Sequence, residues 1–216
     1  MKTLPENVSQ KERKVLGPIG RFLMKLFRWK IEGNIPNLKK MILVGVPHTA
    51  MRDAWYALLA VLALDLKINF FGAAWIFTRL PSLVTISKNL DKLGIPWPFW
   101  WIQKYVLIRL GGIPVYRVNS RGLIHGAVEE FDKIDNYVLV IAPEGGTEAV
   151  EQFRSGFYYL SKGLNIPYVP VEIDFGNRRF KIQEPQKITG TFEEESEKLI
   201  KLFEGVEGAT RTFKML

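Results

Sequence analysis

Short apolar runs alternate with helical patterns along most of this chain, and that alternation constrains its fold more than any other feature. Runs such as residues 41–46 and 137–142 are rich in β-branched residues, end at turn residues and are typical of strands buried on both faces. Stretches with apolar residues at helical spacing separate them. The pattern predicts an α/β fold, a single layered domain with a mostly parallel central sheet flanked by helices.

The predicted strands are residues 41–46, 68–71, 113–116, 137–142, 168–173 and 179–182. The predicted helices are residues 52–64, 123–134, 153–162 and 191–204, with others between 83 and 110.

The N-terminal part of the chain carries a basic amphipathic pattern. Within residues 16–30, bulky apolar residues fall on one side of a helix and basic residues largely on another, namely Phe22, Leu23, Leu26 and Phe27 against Arg21, Lys25, Arg28 and Lys30. A surface helix packed on its own domain and a helix in contact with a membrane both fit. Positive charge beside large apolar groups favours an anionic membrane surface over DNA. We predict an N-terminal membrane-contact segment at residues 1–34 and a main domain at residues 35–216.

Composition excludes several classes of function. The chain has no cysteine, which rules out disulfides, thiolate catalysis and cysteine zinc sites, and its two histidines argue against a histidine metal site. A net charge of +8 favours an anionic partner. The sequence has no motif that recognises nucleic acid, so we expect no nucleic acid to bind. The apolar run at residues 54–64 is too short to span a membrane, and residues 1–14 lack a secretory signal pattern. We expect a cytoplasmic protein, peripherally associated with the inner face of the membrane.

The first strand is followed by a histidine and, five positions later, by an aspartate. On one straight helix His48 and Asp53 would lie about 140° apart. If His48 lies in the loop and Asp53 in the first helical turn, the carboxylate can fold back onto the imidazole. Such a pair fixes the imidazole tautomer and leaves the other ring nitrogen to accept a proton from a hydroxyl. The spacing indicates a general base, and a structural histidine is the alternative.

Two further strand ends carry glycines and charged residues. Gly112 begins a strand that leads to Arg117, whose planar guanidinium suits a phosphate or a carboxylate. A turn followed by an exposed arginine is the alternative there. Glu144 follows the strand at residues 137–142, and a glutamate at the end of a buried strand needs hydroxyl or amide donors, of which a substrate hydroxyl is one. Ligands of such sheets bind where strands end, so these residues are candidate contacts.

These blocks resemble those of the glycerolipid acyltransferases, the lysophosphatidic acid acyltransferase superfamily. Four blocks occur in the same order, with His-x-x-x-x-Asp at 48–53, Gly-x-x-x-x-Arg at 112–117, Pro-Glu-Gly at 143–145 and a strand with a buried proline at 169–171. The resemblance spans about residues 35–182 and implies that residues 35–216 are an acyltransferase domain. It implies His48 as the base, Asp53 as its orienting partner, Arg117 as a phosphate or headgroup contact, and Glu144 with Gly145 as a clamp on the acceptor. The implied substrate-binding set is Gly112, Arg117, Glu144, Gly145, Gly146 and Thr147.

The third block departs from the family pattern, which usually continues Glu-Gly-Thr-Arg. Here Gly146 stands at the threonine position and Thr147 at the arginine position. The loss of a cation weakens the inference that the acceptor carries a glycerol phosphate. Two interpretations stay open, since Arg52, Arg117 or Arg154 can substitute, or the acceptor is a different amphiphile.

The resemblance implies that a fatty acyl chain passes from acyl-CoA or an acyl carrier protein to a hydroxyl of a lysophospholipid-like acceptor at the membrane surface, with no cofactor and no metal. No covalent acyl-enzyme is expected, because the chain has neither a cysteine nor a Gly-x-Ser-x-Gly elbow. Backbone amides near Gly145 and Gly146 are candidate oxyanion donors. The alternatives are a non-enzymatic membrane-lipid-binding protein on this fold, and a lipid or thioester hydrolase.

Two other features have a weaker interpretation. The aromatic segment at residues 95–109 fits a membrane interface or the wall of an acyl groove, and a buried core helix fits equally well. His125 lies in a predicted helix, where we expect a surface residue with no acidic partner.

Overall fold

The structure, a computed structural model, describes residues 4–80, 94–116 and 122–215. The strands in these residues are β1 (Lys30–Glu32), β2 (Lys40–Val46), β3 (Asn69–Ala73), β4 (Arg79–Leu80), β5 (Ile95–Pro96), β6 (Gly112–Val115), β7 (Tyr137–Ile141), β8 (Tyr168–Asp174) and β9 (Arg179–Ile182). The helices are α1 (Leu16–Leu26), α2 (Met51–Ala63), α3 (Trp100–Arg109), α4 (Leu123–Asp132), α5 (Gly156–Leu164) and α6 (Phe192–Phe203), with a 3₁₀ turn at Ala74–Phe77. Residues 83–93, where helix is also predicted, lie outside the described residues.

Seven of the described strands form one sheet in the order β1-β9-β8-β2-β7-β3-β6, and β4 and β5 form a separate antiparallel pair. The five neighbouring strands from β8 to β6 run parallel. Strand β9 returns antiparallel to β8 after a short turn, and β1 runs parallel to β9. The predicted α/β class and the mostly parallel sheet flanked by helices are confirmed.

The path of the chain along this sheet decides which helices share a face. The connections from β2 to β3 and from β3 to β6 move toward one edge, and those from β6 to β7 and from β7 to β8 move back. Because crossovers between parallel strands are right-handed, α2 and α3 lie on one face and α4 and α5 on the other. In agreement, α1 packs against α2, and α4 packs against α5.

Each face of the sheet buries its own apolar layer. Along β2, Ile42 and Val44 face a cluster that includes residues of α4, α5 and α6, whereas Met41 and Leu43 face the opposite cluster. This alternation is the two-residue period of a strand that is buried on both sides. Each such side chain contributes about 1.5–3 kcal/mol when fully buried. The sheet is therefore a well-packed support for the loops that follow its strands.

The N-terminal helix is shorter than predicted and leads into an edge strand. Helix α1 ends at Leu26, and the chain turns at Arg28, which has a φ of 58°. The backbone N–H of Trp29 then donates to the Met24 carbonyl at 2.8 Å, and Lys30–Glu32 form β1. A strand of three residues is too short to show a period of two, so the sequence does not indicate it. Residues 30–32 thus share a sheet with the domain that we predict to begin at residue 35.

The two glycines at the start of β6 allow close packing. Gly111 has a φ of 96°, a conformation that L side chains rarely adopt, and a Cβ there would lie 1.9 Å from the Ile68 carbonyl oxygen. A Cβ on Gly112 would lie 2.9 Å from atoms of both Phe70 and Phe77. Gly112 opens β6, so it lies at the amino edge of the parallel strands. The structure does not bring this predicted substrate contact to the site described below, and its role in the fold is packing.

Candidate active site

The loops after β2 and β7 meet at the carboxyl edge of the sheet. The two strands are adjacent and parallel, with Val44 opposite Ile141. His48 follows the end of β2 by two residues, and Glu144 follows the end of β7 by three. The first and third sequence blocks are therefore neighbours at the edge where α/β sheets bind ligands.

His48 and Asp53 form a close pair at this edge. His48 lies in the loop and Asp53 in the first turn of α2, and the distance from His48 Nδ1 to Asp53 Oδ2 is 3.5 Å. This distance is longer than that of an ordinary N–H···O hydrogen bond and lies within the range of an ion pair. The His48 side chain is 21% exposed and the Asp53 side chain 1% exposed. A buried carboxylate thus backs an imidazole that solvent can reach.

Asp53 also holds the loop that carries His48. Its Oδ2 accepts the backbone N–H of Thr49 at 2.5 Å and that of Ala50 at 2.8 Å. These bonds and the helix N-terminus stabilise the negative charge of a side chain that is otherwise removed from water. Its Oδ1 is buried and has no hydrogen-bond partner among the described residues. The carboxylate therefore retains acceptor capacity beside the imidazole.

Glu144 braces the same loop from the other side. Its carboxylate is almost fully buried, and its Oε2 accepts the backbone N–H of His48. The Oε1 atom lies 3.6 Å from Nη2 of Arg211. Burial raises the pKa of Glu144 to about 7, while the His48 N–H and the positive charge of Arg211 lower it. The side chain therefore titrates near neutral pH, in direct contact with the loop that carries the base.

The turn at residues 142–147 is shaped by its glycine. Gly145 has a φ of 69°, and a Cβ there would lie 2.9 Å from Arg154 Cγ, so other residues would be strained at this position. Its N–H donates to the Ala142 carbonyl at 3.1 Å. Since that bond occupies the amide, Gly145 does not offer it to an oxyanion in this conformation. Gly146 and Thr147 follow in the same turn and are partly buried.

A C-terminal segment completes the site, and the sequence did not indicate it. Arg211 Nη1 donates to the Thr147 carbonyl at 2.6 Å, so its guanidinium contacts both the turn and the Glu144 carboxylate. Thr210 donates its backbone N–H to Thr49 Oγ1 at 3.2 Å and its hydroxyl to the Thr49 carbonyl at 3.0 Å. A cation thus stands beside the third block, although Thr147 occupies the family's arginine position. No local spacing could reveal a residue so distant in sequence.

The structure describes two of the three other predicted cations, Arg52 and Arg154. Arg117 is outside the described residues. Arg154 donates its backbone N–H to the Pro143 carbonyl at 2.7 Å and so supports the turn with its main chain. The Arg52 guanidinium lies 5.3 Å from the centre of the Phe175 ring.

A second histidine–carboxylate pair lies on the surface. His125 is exposed as predicted, but the expectation that it has no acidic partner is wrong, because its Nδ1 lies 3.2 Å from Glu129 Oε1 one helical turn later. Both side chains are more than half exposed, at 80% and 63%. Water screens such an exposed pair. It serves as an internal comparison for His48.

In the part of the chain that the structure describes, no three histidine, aspartate or glutamate side chains are placed to hold a metal ion. Across the same residues, no helix is both long enough and apolar enough to cross a membrane.

Comparisons with known proteins give a likeness of structure. No protein-family model and no curated protein sequence matches the chain. The structure is similar to the crystal structure of the 1-acyl-sn-glycerophosphate (LPA) acyltransferase PlsC from Thermotoga maritima, with a TM-score of 0.53. The match covers 88% of this chain and 75% of that chain, at 15% sequence identity. The chain therefore has the fold of a 1-acyl-sn-glycerophosphate acyltransferase.

Proposed function

We propose that this protein is an O-acyltransferase that moves a fatty acyl chain from a thioester donor to a hydroxyl of a lysophospholipid-like acceptor. The observation that carries the proposal is the His48–Asp53 pair, which lies at the carboxyl edge of a sheet with the fold of an acyltransferase. The donor is acyl-CoA or an acyl carrier protein, both of which are acidic and suit a net charge of +8.

The proposed reaction needs one base and no covalent enzyme intermediate. The acceptor hydroxyl transfers its proton to His48 Nε2 while its oxygen attacks the thioester carbonyl carbon. Asp53 stabilises the imidazolium that results, from the side of Nδ1. The carbon–sulfur bond then breaks, and the imidazolium returns the proton to the departing thiolate. The products are an ester and a free thiol, and His48 is again neutral.

Product analysis tests this proposal. The protein is incubated with radiolabelled palmitoyl-CoA or palmitoyl-acyl carrier protein and with lysophosphatidic acid or a total lipid extract. We expect the label in an acylated lipid, together with an equal amount of free thiol. Label in free fatty acid alone would show a hydrolase, and lipid binding without any turnover would show a binding protein.

We further propose that the protein acts at a membrane surface. The support is that the helices on one face of the sheet expose many more large apolar side chains than those on the other. The helices on the α2 face expose many large apolar side chains, namely Leu16, Ile19, Phe22, Leu26, Met51, Trp55, Trp100, Trp101, Tyr105 and Ile108. No residue of α3 is buried, so the core-helix interpretation does not hold for it. On the other face, the described residues of α4, α5 and α6 expose only two large apolar side chains, Tyr159 and Leu202. We propose that the protein is cytoplasmic and that its α2 face lies on the anionic inner face of the membrane.

Removing exposed apolar groups from α1 tests this orientation. Phe22 is 64% exposed and Leu26 59% exposed, so their contacts within the protein are few. We expect the Phe22→Ser, Leu26→Ser double variant to bind phosphatidylglycerol-containing vesicles about tenfold or more weakly, because two apolar side chains no longer enter the bilayer. Vesicle co-sedimentation measures the effect. Leu202→Ser on α6 is the matched control, and an equal loss in that variant would contradict the orientation.

A further inference from the structure

A cavity of about 470 Å³ lies beside the His48 loop. It is open to solvent and is lined by the end of α1, the start of α2, the turn between β8 and β9, and the C-terminal segment. Its volume falls in the range of small-molecule sites. Its main lining side chains are Trp29, Arg52, Tyr56, Phe175, Arg178 and Glu207. We call it the cationic cavity.

The cationic cavity adjoins the candidate active site directly. Arg52, in its wall, immediately precedes Asp53 in the first turn of α2. Gly208, also in the wall, packs so closely on Thr49 that a Cβ on it would lie 2.7 Å from Thr49 Cγ2. Thr49 follows His48 and is further bonded to Thr210. A ligand that extends from the His48 imidazole can therefore reach the cavity across the Thr49 loop.

The walls combine aromatic surface with two arginines. The Trp29 and Tyr56 rings are stacked, with centroids 4.5 Å apart, and both meet the Phe175 ring edge to face. Arg52 lies over Phe175, which holds its guanidinium in place. In the described part of the chain, neither Arg52 nor Arg178 forms an ion pair with a carboxylate. Two guanidinium groups without carboxylate partners are suited to a phosphate, which they can bind through paired N–H donors.

The backbone positions both arginines. Arg178 has a φ of 49°, in the left-handed region, and its carbonyl accepts the backbone N–H of Lys30 at 2.9 Å. Arg52 belongs to the first turn of α2, whose start is held by the bonds of Asp53. The Glu207 carboxylate also lines the cavity, so the wall carries two positive charges and one negative charge. Removal of the Glu207 carboxylate should strengthen anion binding, whereas removal of either arginine should weaken it.

We propose that the cationic cavity binds a phosphate monoester of an acyl-transfer substrate, with Arg52 and Arg178 as its cations and the aromatic rings against the adjoining part of the ligand. This assignment rests on the proposed function, and it supplies a phosphate contact in a protein whose third block lacks its arginine. The phosphate belongs either to a lysophosphatidate acceptor or to the nucleotide of acyl-CoA, and both present the same chemistry.

Direct binding to soluble probes tests the assignment without any turnover. Isothermal titration is carried out with 1-hexanoylglycerol 3-phosphate and with adenosine 3′,5′-bisphosphate. The neutral counterparts are 1-hexanoylglycerol and adenosine. We expect at least one phosphate probe to bind about tenfold or more tightly than its counterpart, because a charge-assisted contact is lost in the neutral compound. The probe that binds identifies the acceptor or the donor as the source of the phosphate.

Variants then locate the binding. Arg52→Gln and Arg178→Gln should each lower the affinity for the phosphate probe about tenfold. Glu207→Gln should raise that affinity severalfold. Lys201→Ala on α6 removes one positive charge from the opposite face of the sheet and should leave the affinity unchanged. Thermal melting of each variant confirms that it is folded. Equal binding of charged and neutral probes, or wild-type affinity in both arginine variants, would overturn the assignment.

His48→Ala separates this assignment from the proposed function. That variant should still bind the phosphate probe more tightly than its neutral counterpart, since the imidazole is not part of the cationic cavity. Arginine-dependent phosphate binding in a protein that transfers no acyl group would reject the proposed function and retain the phosphate site. Acyl transfer by a protein whose phosphate binding does not depend on the two arginines would reject the phosphate site and retain the proposed function.

Discussion

His48→Ala is expected to lower the rate of acyl transfer by roughly 10³- to 10⁴-fold, because the variant lacks the imidazole that accepts the proton of the attacking hydroxyl. The His48 side chain is partly exposed. The variant also retains the backbone N–H of residue 48, which donates to the Glu144 carboxylate. We therefore expect a change of less than about 1 kcal/mol in the free energy of unfolding. Single-turnover transfer from labelled acyl donor measures the first effect, and thermal unfolding measures the second.

The chain provides a matched control for this experiment. His125→Ala removes an imidazole that is also paired with a carboxylate, but on an exposed helix surface. Its transfer rate should equal that of the wild type. If His48→Ala retained a rate within tenfold of the wild type, the general-base role of His48 would be rejected, whatever the behaviour of the control.

Arg211→Ala is expected to lower the transfer rate by about 10²-fold or more, since small displacements of a positioned base have effects of that size. The guanidinium joins the Glu144 carboxylate to the Thr147 carbonyl, and Glu144 in turn holds the backbone of His48. Without it, the turn and the loop lose their common support. We expect Arg211 to act by positioning the loop. Arg211→Lys, which keeps the positive charge but loses the planar guanidinium, should therefore recover part of the rate.

The pH dependence of stability distinguishes this role from a general loss of packing. Because burial raises the pKa of Glu144 from 4.5 to about 7, its protonated form stabilises the folded state below pH 4.5, and that contribution is lost as the pH rises through 7. Arg211 offsets part of the loss by stabilising the ionised form. We expect Arg211→Ala to cost little at pH 5 and about 1–2 kcal/mol more at pH 8. A cost independent of pH would contradict the coupling between Arg211 and Glu144.

Local patterns were sufficient to predict most of the fold. Strand β2 alternates its side chains between two apolar layers, and strands buried in this way are visible as short β-branched runs. Strand β1 was missed because its three residues pair at the edge of the sheet, where a tertiary contact and not local sequence decides the conformation. The end of α1 was placed too late for the same reason, since Arg28 adopts a left-handed turn that its residue type does not favour.

The candidate site was predictable only where its residues are close in sequence. The pairing of His48 with Asp53 follows from a loop that leads into a helical turn. Glu144 was found from its position after a strand, but its bond to the His48 backbone depends on the adjacency of β2 and β7. Arg211 was missed because a long loop closure brings it to the turn, and no spacing rule reports such a contact. Gly112 was predicted as a ligand contact, and the structure places it at the amino edge of the parallel strands, where a Cβ would crowd Phe70 and Phe77.

The bond between Thr49 and Thr210 joins residues 161 positions apart, so the loop that carries His48 depends on a contact with residues that are synthesised late. All four sequence blocks precede Thr210 and Arg211 in the chain, as do the strands of the sheet. We therefore expect the loop that carries His48 to gain its last contacts only after these two residues have been synthesised. A chain shortened to end at Phe203 would keep all four sequence blocks and would lack Thr210 and Arg211, which contact the loop and the turn beside His48.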